Sequence, residues 1–319
     1  MVHNSQEVAL SEQQFLVLGE ALMDCVAREG MVIETAGGSP MNVAIGLGRL
    51  NQQVTLATRF GVDDRGRAIA EHLEQSHVSL IPEASGLPTT STASAAIAAD
   101  GSATYLFDIV WDLEAGMVPS GTWGHVHAGS IGATLDPGSR GVLDIIKRER
   151  DSGATISYDP NARPNIMGDP DDARHKVEAV IGLSDLVKAS DEDLAWLYPG
   201  WKMADVLSRW RDLGAIVIII TRGADGVEAH TVTDSLSLPI KATTVVDTIG
   251  AGDSFMAGLL SALSNRGLVG YHRRESLASL SKKDLEEVVS FALECAAITV
   301  SRSGANPPTL DDLKPASSP

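Results

Sequence analysis

The sequence predicts an α/β protein in which a mostly parallel sheet is covered by helices on both faces. Three observations carry this expectation. Strand-length apolar runs alternate with helix-length amphipathic stretches. The runs are apolar nearly throughout rather than at every second residue, as strands buried on both faces require. One stretch breaks the alternation with two consecutive strand-like runs, which predicts a small second sheet. In chain order the expected strands are Phe15–Gly19, Val54–Phe60, His125–Ala128, Ala154–Tyr158, Leu186–Ala189 and Ile216–Thr221. The last contains Ile216-Val217-Ile218-Ile219-Ile220, β-branched throughout, and reads as a central strand. The expected helices are Met41–Leu50, Gly66–Gln75, Ser139–Arg150, Asp171–Leu183 and Ala204–Leu213.

The interrupting stretch comprises Thr92–Ile97 and Ala103–Phe107, joined through Asp100-Gly101, a strong two-residue hairpin signal. The short run Met31–Glu34 is a candidate partner for them. These segments read as a small sheet projecting from the main domain, a candidate lid; a surface hairpin without function is the competing reading. The expected organisation is a flexible N-terminus (1–14), one domain (15–307) with a lid from about 24–36 and 91–112, and a flexible tail (308–319). The chain after Gly304 is rich in Pro and Ser and reads as loosely held.

Composition narrows the function. The chain has 319 residues and a formal charge of −17, with 44% hydrophobic and 21% charged residues. That is ordinary for a globular enzyme with a large core. The acidic balance argues against a nucleic-acid-binding surface and against docking on anionic lipid, since both need clustered Lys and Arg. Cys25 and Cys295 form no metal or disulfide pattern. The N-terminus lacks the basic start and apolar stretch of a secretory signal, and the longest strongly apolar run, Ala215 to Ile220, is far too short for a membrane helix. These features predict a cytoplasmic protein.

The most informative stretch is Asp247-Thr248-Ile249-Gly250-Ala251-Gly252-Asp253-Ser254-Phe255. Gly250 and Gly252 leave the backbone clear where an amphipathic helix begins, and the first amides of a helix lack internal partners and sit at the positive end of its dipole. A phosphate or developing oxyanion can approach such amides closely. Asp253 places a carboxylate in the same turn, which is self-defeating for plain anion binding. It makes sense where the carboxylate takes a proton from a nucleophile attacking the phosphate. The competing reading is a helix cap.

Here the sequence resembles the ribokinase-like (PfkB) sugar kinases, most closely bacterial fructokinases. The 247–255 run matches the family's C-terminal signature. Gly37-Gly38-Ser39-Pro40-Met41-Asn42-Val43-Ala44 matches its N-terminal one, and the residues at 19–24, 159–164, 187–194, 220–226 and 296–307 match further motifs. The resemblance implies a Rossmann-like ribokinase fold with a small β-sheet lid, and an ATP- and Mg²⁺-dependent kinase, with K⁺ commonly bound near the anion hole. Asp253 would be the general base, and Gly250, Ala251 and Gly252 the anion hole. Asp24, Gly37, Gly38 and Asn42 would meet the sugar, and Arg163 the phosphate or substrate. Lys188, Thr221, Gly223 and Gly226 would meet the nucleotide, and Asp247, Ser303 and Gly304 a monovalent cation. Lids of the family often pair, so a homodimer through the lid is expected. The partners are otherwise a sugar and ATP, with no nucleic acid and no membrane.

Each residue also has a plainer reading: Asn42 as a helix start, Gly37-Gly38 as a turn, Lys188 as a snorkelling surface lysine, Gly223 and Gly226 as turn formers. Two departures stand out. Many members carry Asn-x-x-Glu where this chain has Ser190-Asp191-Glu192-Asp193, in a region tied to metal and phosphate handling. Fructokinases commonly carry an arginine soon after the second lid strand, where this chain reads Phe107-Asp108-Ile109-Val110-Trp111-Asp112-Leu113. Trp111 either stacks on a sugar or is buried at the hinge. Other acceptors of the same family stay open, namely 2-keto-3-deoxygluconate, a nucleoside or a polyol, as does a catalytically silent sugar-binding regulator. The third glycine of a dinucleotide fingerprint is missing after Gly46-Leu47-Gly48, and no Gly-Lys pair forms a P-loop. His125 and His127 share a strand face, but with no evident third ligand they read as core or site-lining residues.

Overall fold

The computed structural model describes residues 14–28, 31–97, 103–120, 123–241 and 243–314. The first half contains β1 (Phe15–Leu18), β2 (Leu22–Arg28), β3 (Met31–Gly37), α1 (Ser39–Arg49), β4 (Val54–Ala57), β5 (Phe60–Gly61), α2 (Asp64–Gln75), β6 (Val78–Leu80), β7 (Ser85–Leu87), β8 (Thr92–Ile97) and β9 (Ala103–Asp108). Then follow β10 (His125–Gly129), α3 (Gly138–Ser152), β11 (Thr155–Asp159), α4 (Pro164–Met167), α5 (Pro170–Ile181), β12 (Leu186–Ser190), α6 (Asp191–Leu197), α7 (Met203–Leu213) and β13 (Val217–Thr221). The last part holds β14 (Val227–His230), β15 (Ser235–Leu238), α8 (Ala251–Asn265), α9 (Arg274–Ala278) and α10 (Lys282–Val300).

The principal sheet has the order β15-β14-β13-β12-β11-β10-β1-β4-β6. From β6 to β13 neighbouring strands are parallel, and β14 and β15 are antiparallel. Strands β1, β4, β10 and β11 are buried along their whole length, as their unbroken apolar runs require. The β-branched run Val217–Thr221 lies inside the sheet, third from one edge, with the antiparallel pair beyond it. The expected strand Val54–Phe60 divides at Ala57. In the gap, the Arg59 guanidinium is held by the carbonyl of Glu83 and by the Asp112 carboxylate at 2.8 Å.

The small separate sheet is present, in the order β3-β2-β8-β9. The two runs of the interrupting stretch pair antiparallel as β8 and β9; the Asp100-Gly101 turn lies outside the described residues. Met31–Gly37 joins this sheet through β2 rather than directly. Strand β3 is exposed from Met31 to Thr35, so this sheet stands away from the body.

Helix α8 is packed between α1 and α10. A Cβ at Gly46 of α1 would lie 2.5 Å from Ala257 Cβ, and one at Gly258 would lie 2.9 Å from Cys295 Sγ. Both glycines therefore let their helices approach closely. Of the expected N-terminal tail, 1–14, residues 1–13 lie outside the described residues, whereas Gln14 O accepts from Gly124 N at 3.0 Å. Residues 315–319 lie outside the described residues as well. Between them and Gly304 the C-terminal segment has anchors. Arg49 Nη1 donates to Asn306 Oδ1 at 2.6 Å and to Pro307 O at 2.8 Å, and Arg302 pairs with Asp312 at 2.8 Å. These contacts differ from a loosely held chain, since two arginines on the body recruit it.

Candidate active site

Helices α1 and α8 both start at a glycine with positive φ and without a side-chain cap, Gly38 at 116° and Gly250 at 74°. Neither glycine can be replaced freely. A Cβ at Gly38 would lie 2.5 Å from Glu20 O, and one at Gly250 would lie 2.6 Å from Ala305 Cβ. No side chain caps the start of α8, where Ala251 N donates to Thr248 O at 3.3 Å.

Asp253, in the first turn of α8, is 7% exposed. Ser39 Oγ donates to its Oδ1 at 2.7 Å, and Asn42 Nδ2 donates to its Oδ2 at 2.8 Å. Asp253 is therefore not a plain helix cap: its partners come from another helix, and no side-chain cap bond exists at the start of α8.

Behind the start of α8 lies a buried cation. Lys188 on β12 is 4% exposed, and its Nζ donates to Asp159 Oδ2 at 2.8 Å. This excludes the snorkelling surface lysine. A Cβ at Gly252 would come within 3.0 Å of that ammonium, which places the charge beside the start of α8. Burial works to lower the Lys188 pKa, but the charge and hydrogen bond of Asp159 prevail and hold it above its ordinary value. Burial raises the Asp159 carboxyl to about 6, against the pull of Lys188. Asp193, in the departing 190–193 motif, caps α6 reciprocally with Ser190. Its Oδ1 also accepts from Ala162 N at 2.7 Å, so it pins the loop that carries Arg163.

On the lid side, Asp24 is exposed, and its carboxyl is raised by the desolvation of its surroundings, an effect that Arg163 counters. A Cβ at Gly37 would lie 2.2 Å from Asp24 Oδ2, so glycine there makes room for this carboxylate. Arg163 is itself exposed; among the described residues its guanidinium donates to Ala162 O at 3.1 Å. Glu20 is buried and accepts from Gly132 N at 2.9 Å. Burial raises its carboxyl to about 7.

The remaining expected residues are more dispersed. Thr221 Oγ1 donates to Ala189 O at 3.4 Å, beside Lys188 on β12. Gly226, φ 94°, is demanded by its turn, because a Cβ would lie 2.1 Å from Leu238 O, whereas Gly223, φ 49°, faces open space. Neither bonds the Asp253 group among the described residues. Asp247 Oδ2 accepts from Gly304 N at 2.9 Å and its Oδ1 from Ile249 N at 3.0 Å, which ties the 247–249 and 303–304 turns together.

His125 and His127 are core residues. They hydrogen-bond Thr155 and Ser157 at 2.7 to 2.9 Å, and burial lowers both to about 3. Trp111 is buried at the hinge and donates to Gly132 O at 2.8 Å, so it is not free to stack on a ligand. Asp112 is spent on Arg59, which leaves Asp108 exposed at the end of β9.

A conserved domain model for pfkB family carbohydrate kinases matches residues 12–312. The chain belongs to the pfkB family of carbohydrate kinases. It is a phosphotransferase with an alcohol group as acceptor, and it is fructokinase-like. A fructokinase of Rhizobium leguminosarum bv. trifolii is 32% identical over 291 residues, covering 85% of each chain. One of Klebsiella pneumoniae is 29% identical over 313 residues, covering 93% of this chain and 97% of the other. Among solved structures, the Vibrio cholerae fructokinase in a form with fructose, ADP and potassium ion superposes with a TM-score of 0.78 at 25% identity, covering 92% and 94%. A Salmonella enterica aminoimidazole riboside kinase complexed with aminoimidazole riboside and an ATP analog gives 0.75 at 27%, covering 92% and 95%. In this pfkB member no helix among the described residues is long and apolar enough to cross a membrane.

Sequence reasoning on the pfkB motifs passed over Ser39, Asp159 and Glu20, although each lies inside or beside a quoted motif. Ser39 and Asn42 are three residues apart on a helix, and this i, i+3 spacing is the signal that put both on one face.

Proposed function

We propose that this kinase transfers the γ-phosphate of ATP to a hydroxyl of a sugar, with Asp253 as general base. One observation carries the reading: the Asp253 carboxylate, the uncapped α8 start and the buried Lys188 ammonium converge within one helical turn. The acceptor oxygen attacks the γ-phosphorus, its proton passes to Asp253, and the bond to the bridging oxygen breaks, leaving ADP with the electron pair. The amides of Gly250, Ala251 and Gly252 meet the charge on the transferred group, and Lys188 reinforces them. Asp24, Gly37, Gly38 and Asn42 bound the sugar side, and Arg163 clamps phosphate oxygens as they pass. The turn at Thr221, Gly223 and Gly226 faces the nucleotide.

Mg²⁺ bound with the nucleotide would neutralise phosphate charge. The described residues offer no cluster of three ligating side chains, and Asp193 accepts from the amides of Ala162 and Ser190. A K⁺ site is assigned to Asp247, Ser303 and Gly304, whose turns are tied together; a fructokinase relative is described with potassium. The small sheet closes over the sugar and excludes water. Its edge strand β3 exposes Met31, Val32 and Ile33, which suits a second copy of the chain.

A nucleoside acceptor is the second reading, favoured by the riboside kinase relative and by the exposed Asp108 in the stretch where fructokinases commonly carry an arginine. Release of ADP from Mg-ATP across ketoses, aldoses, keto-acids, nucleosides and polyols decides between them. A single strong ketose acceptor supports the first reading and a nucleoside the second. Silence with every acceptor despite ATP binding would point to a regulator. Asp253→Asn is expected to lower turnover by about two to four orders of magnitude while binding of both substrates survives. Wild-type turnover in this variant would remove Asp253 as the base.

A further inference from the structure

We infer that Ser39 is a positioning residue for catalysis: its hydroxyl holds one carboxylate oxygen of Asp253 in place, from a helix face built to reach it. The inference rests on Asp253 being the base. Three residues of α1, at positions 39, 42 and 46, lie at i, i+3 and i+7 and so share one face. That face meets Asp253 and Ala257 of α8, themselves four apart. Gly46 permits the approach, since a Cβ there would lie 2.5 Å from Ala257 Cβ. The two helices thus come close enough for Ser39 and Asn42 to take one carboxylate oxygen each, at 2.7 and 2.8 Å.

A carboxylate on a short side chain has two torsions to fix, and a base must meet its proton within hydrogen-bond reach. Two donors on opposite oxygens remove that freedom. Each oxygen keeps a second lone pair, so an acceptor hydroxyl can still donate to Asp253 without displacing either partner. Asn42 has a second N–H and a carbonyl oxygen for the sugar. Ser39 is 7% exposed and has only its hydroxyl, so its contribution is confined to the carboxylate. The prediction is therefore a loss in the chemical step with little change in binding, a pattern that lost packing alone would not produce.

The test is steady-state kinetics of Ser39→Ala, with Mg-ATP and whichever acceptor proves active, alone and combined with Asp253→Asn. We expect kcat to fall about tenfold to a hundredfold with both KM values nearly unchanged. In the Asp253→Asn background the same change should cost almost nothing further. Where the alanine variant does not fold, Ser39→Cys keeps the volume with a far weaker donor and carries the same expectation. Wild-type kcat, or an equal loss in both backgrounds, would overturn the role of Ser39 while leaving Asp253 intact. Wild-type turnover of Asp253→Asn alone would instead overturn the base reading and this inference with it.

Discussion

The transfer centre and the small sheet are built on opposite principles. Around Asp253 the polar groups are buried and partnered: Ser39 and Asn42 on the carboxylate, Lys188 on Asp159, Asp193 on the Arg163 loop. The small sheet turns Met31, Val32, Ile33 and Leu106 to solvent, and its Asp24 is exposed. Burial and fixed partners preorganise charge for phosphoryl transfer, where reorganisation costs rate. An exposed sheet on the rim leaves room to admit and release an acceptor. On the function proposed above, the chemistry is lodged in the doubly covered body and the acceptor is chosen at the rim.

The largest effect that would break the comparison is expected at Lys188. Lys188→Met strips Asp159 of its partner and removes the cation beside the start of α8. Stability should drop by about 3–5 kcal/mol, since a buried carboxylate is left unpaired. Turnover should drop by about a hundredfold to a thousandfold. Adding Asp159→Asn should restore the melting temperature and not the turnover. Recovery of both would make the pair a packing device and dissolve the contrast with the rim.

A smaller effect is expected where α1 meets α8. Gly46→Ala must push the helices apart, because Ala257 Cβ lies 2.5 Å from the new atom. Turnover should fall about tenfold, as the Ser39 and Asn42 bonds lengthen. Steady-state kinetics checks this, and unchanged kcat would show that the helices yield without disturbing Asp253.

The smallest effect sharpens the comparison at the junction of the two regions. Glu20 touches both, through Gly38 at the start of α1 and through Gly132, which carries the hinge residue Trp111. Burial raises its carboxyl from 4.5 to about 7. The folded protein therefore keeps this proton at pH values where the unfolded chain has lost it. The associated stability is fully present below about pH 4.5 and is lost as pH rises through about 7. The Arg163 charge acts against this rise, and Glu20 in turn helps to raise the buried Tyr158 hydroxyl. Glu20→Gln cannot ionise and should escape the loss, so its melting temperature should gain on the wild type between pH 5 and 8. Parallel curves would mean that Glu20 ionises in the folded protein as it does in the unfolded chain.

Much of this was legible before the fold. Unbroken apolar runs demanded strands covered on both faces, and two glycines ahead of Asp253 demanded an open helix start. Those are local consequences of side-chain burial and backbone sterics, which neighbouring residues settle among themselves. Trp111 shows the limit: its neighbours allowed either a sugar platform or a hinge plug, and only the carbonyl of Gly132 decided for the plug. Asp112 likewise lay in the stretch that departs from fructokinases, and only packing paired it with Arg59.

By itself, then, the sequence determined the layered α/β architecture, the second sheet and the glycine-led start of α8. Tertiary structure alone decided that Ser39 and Asn42 grip a carboxylate 214 and 211 residues away, and that Lys188 finds its counter-charge on the adjacent strand. The physical reason is distance along the chain. Propensity and periodicity act over a few residues, whereas a buried charge takes its partner from whichever element packing brings within about 3 Å.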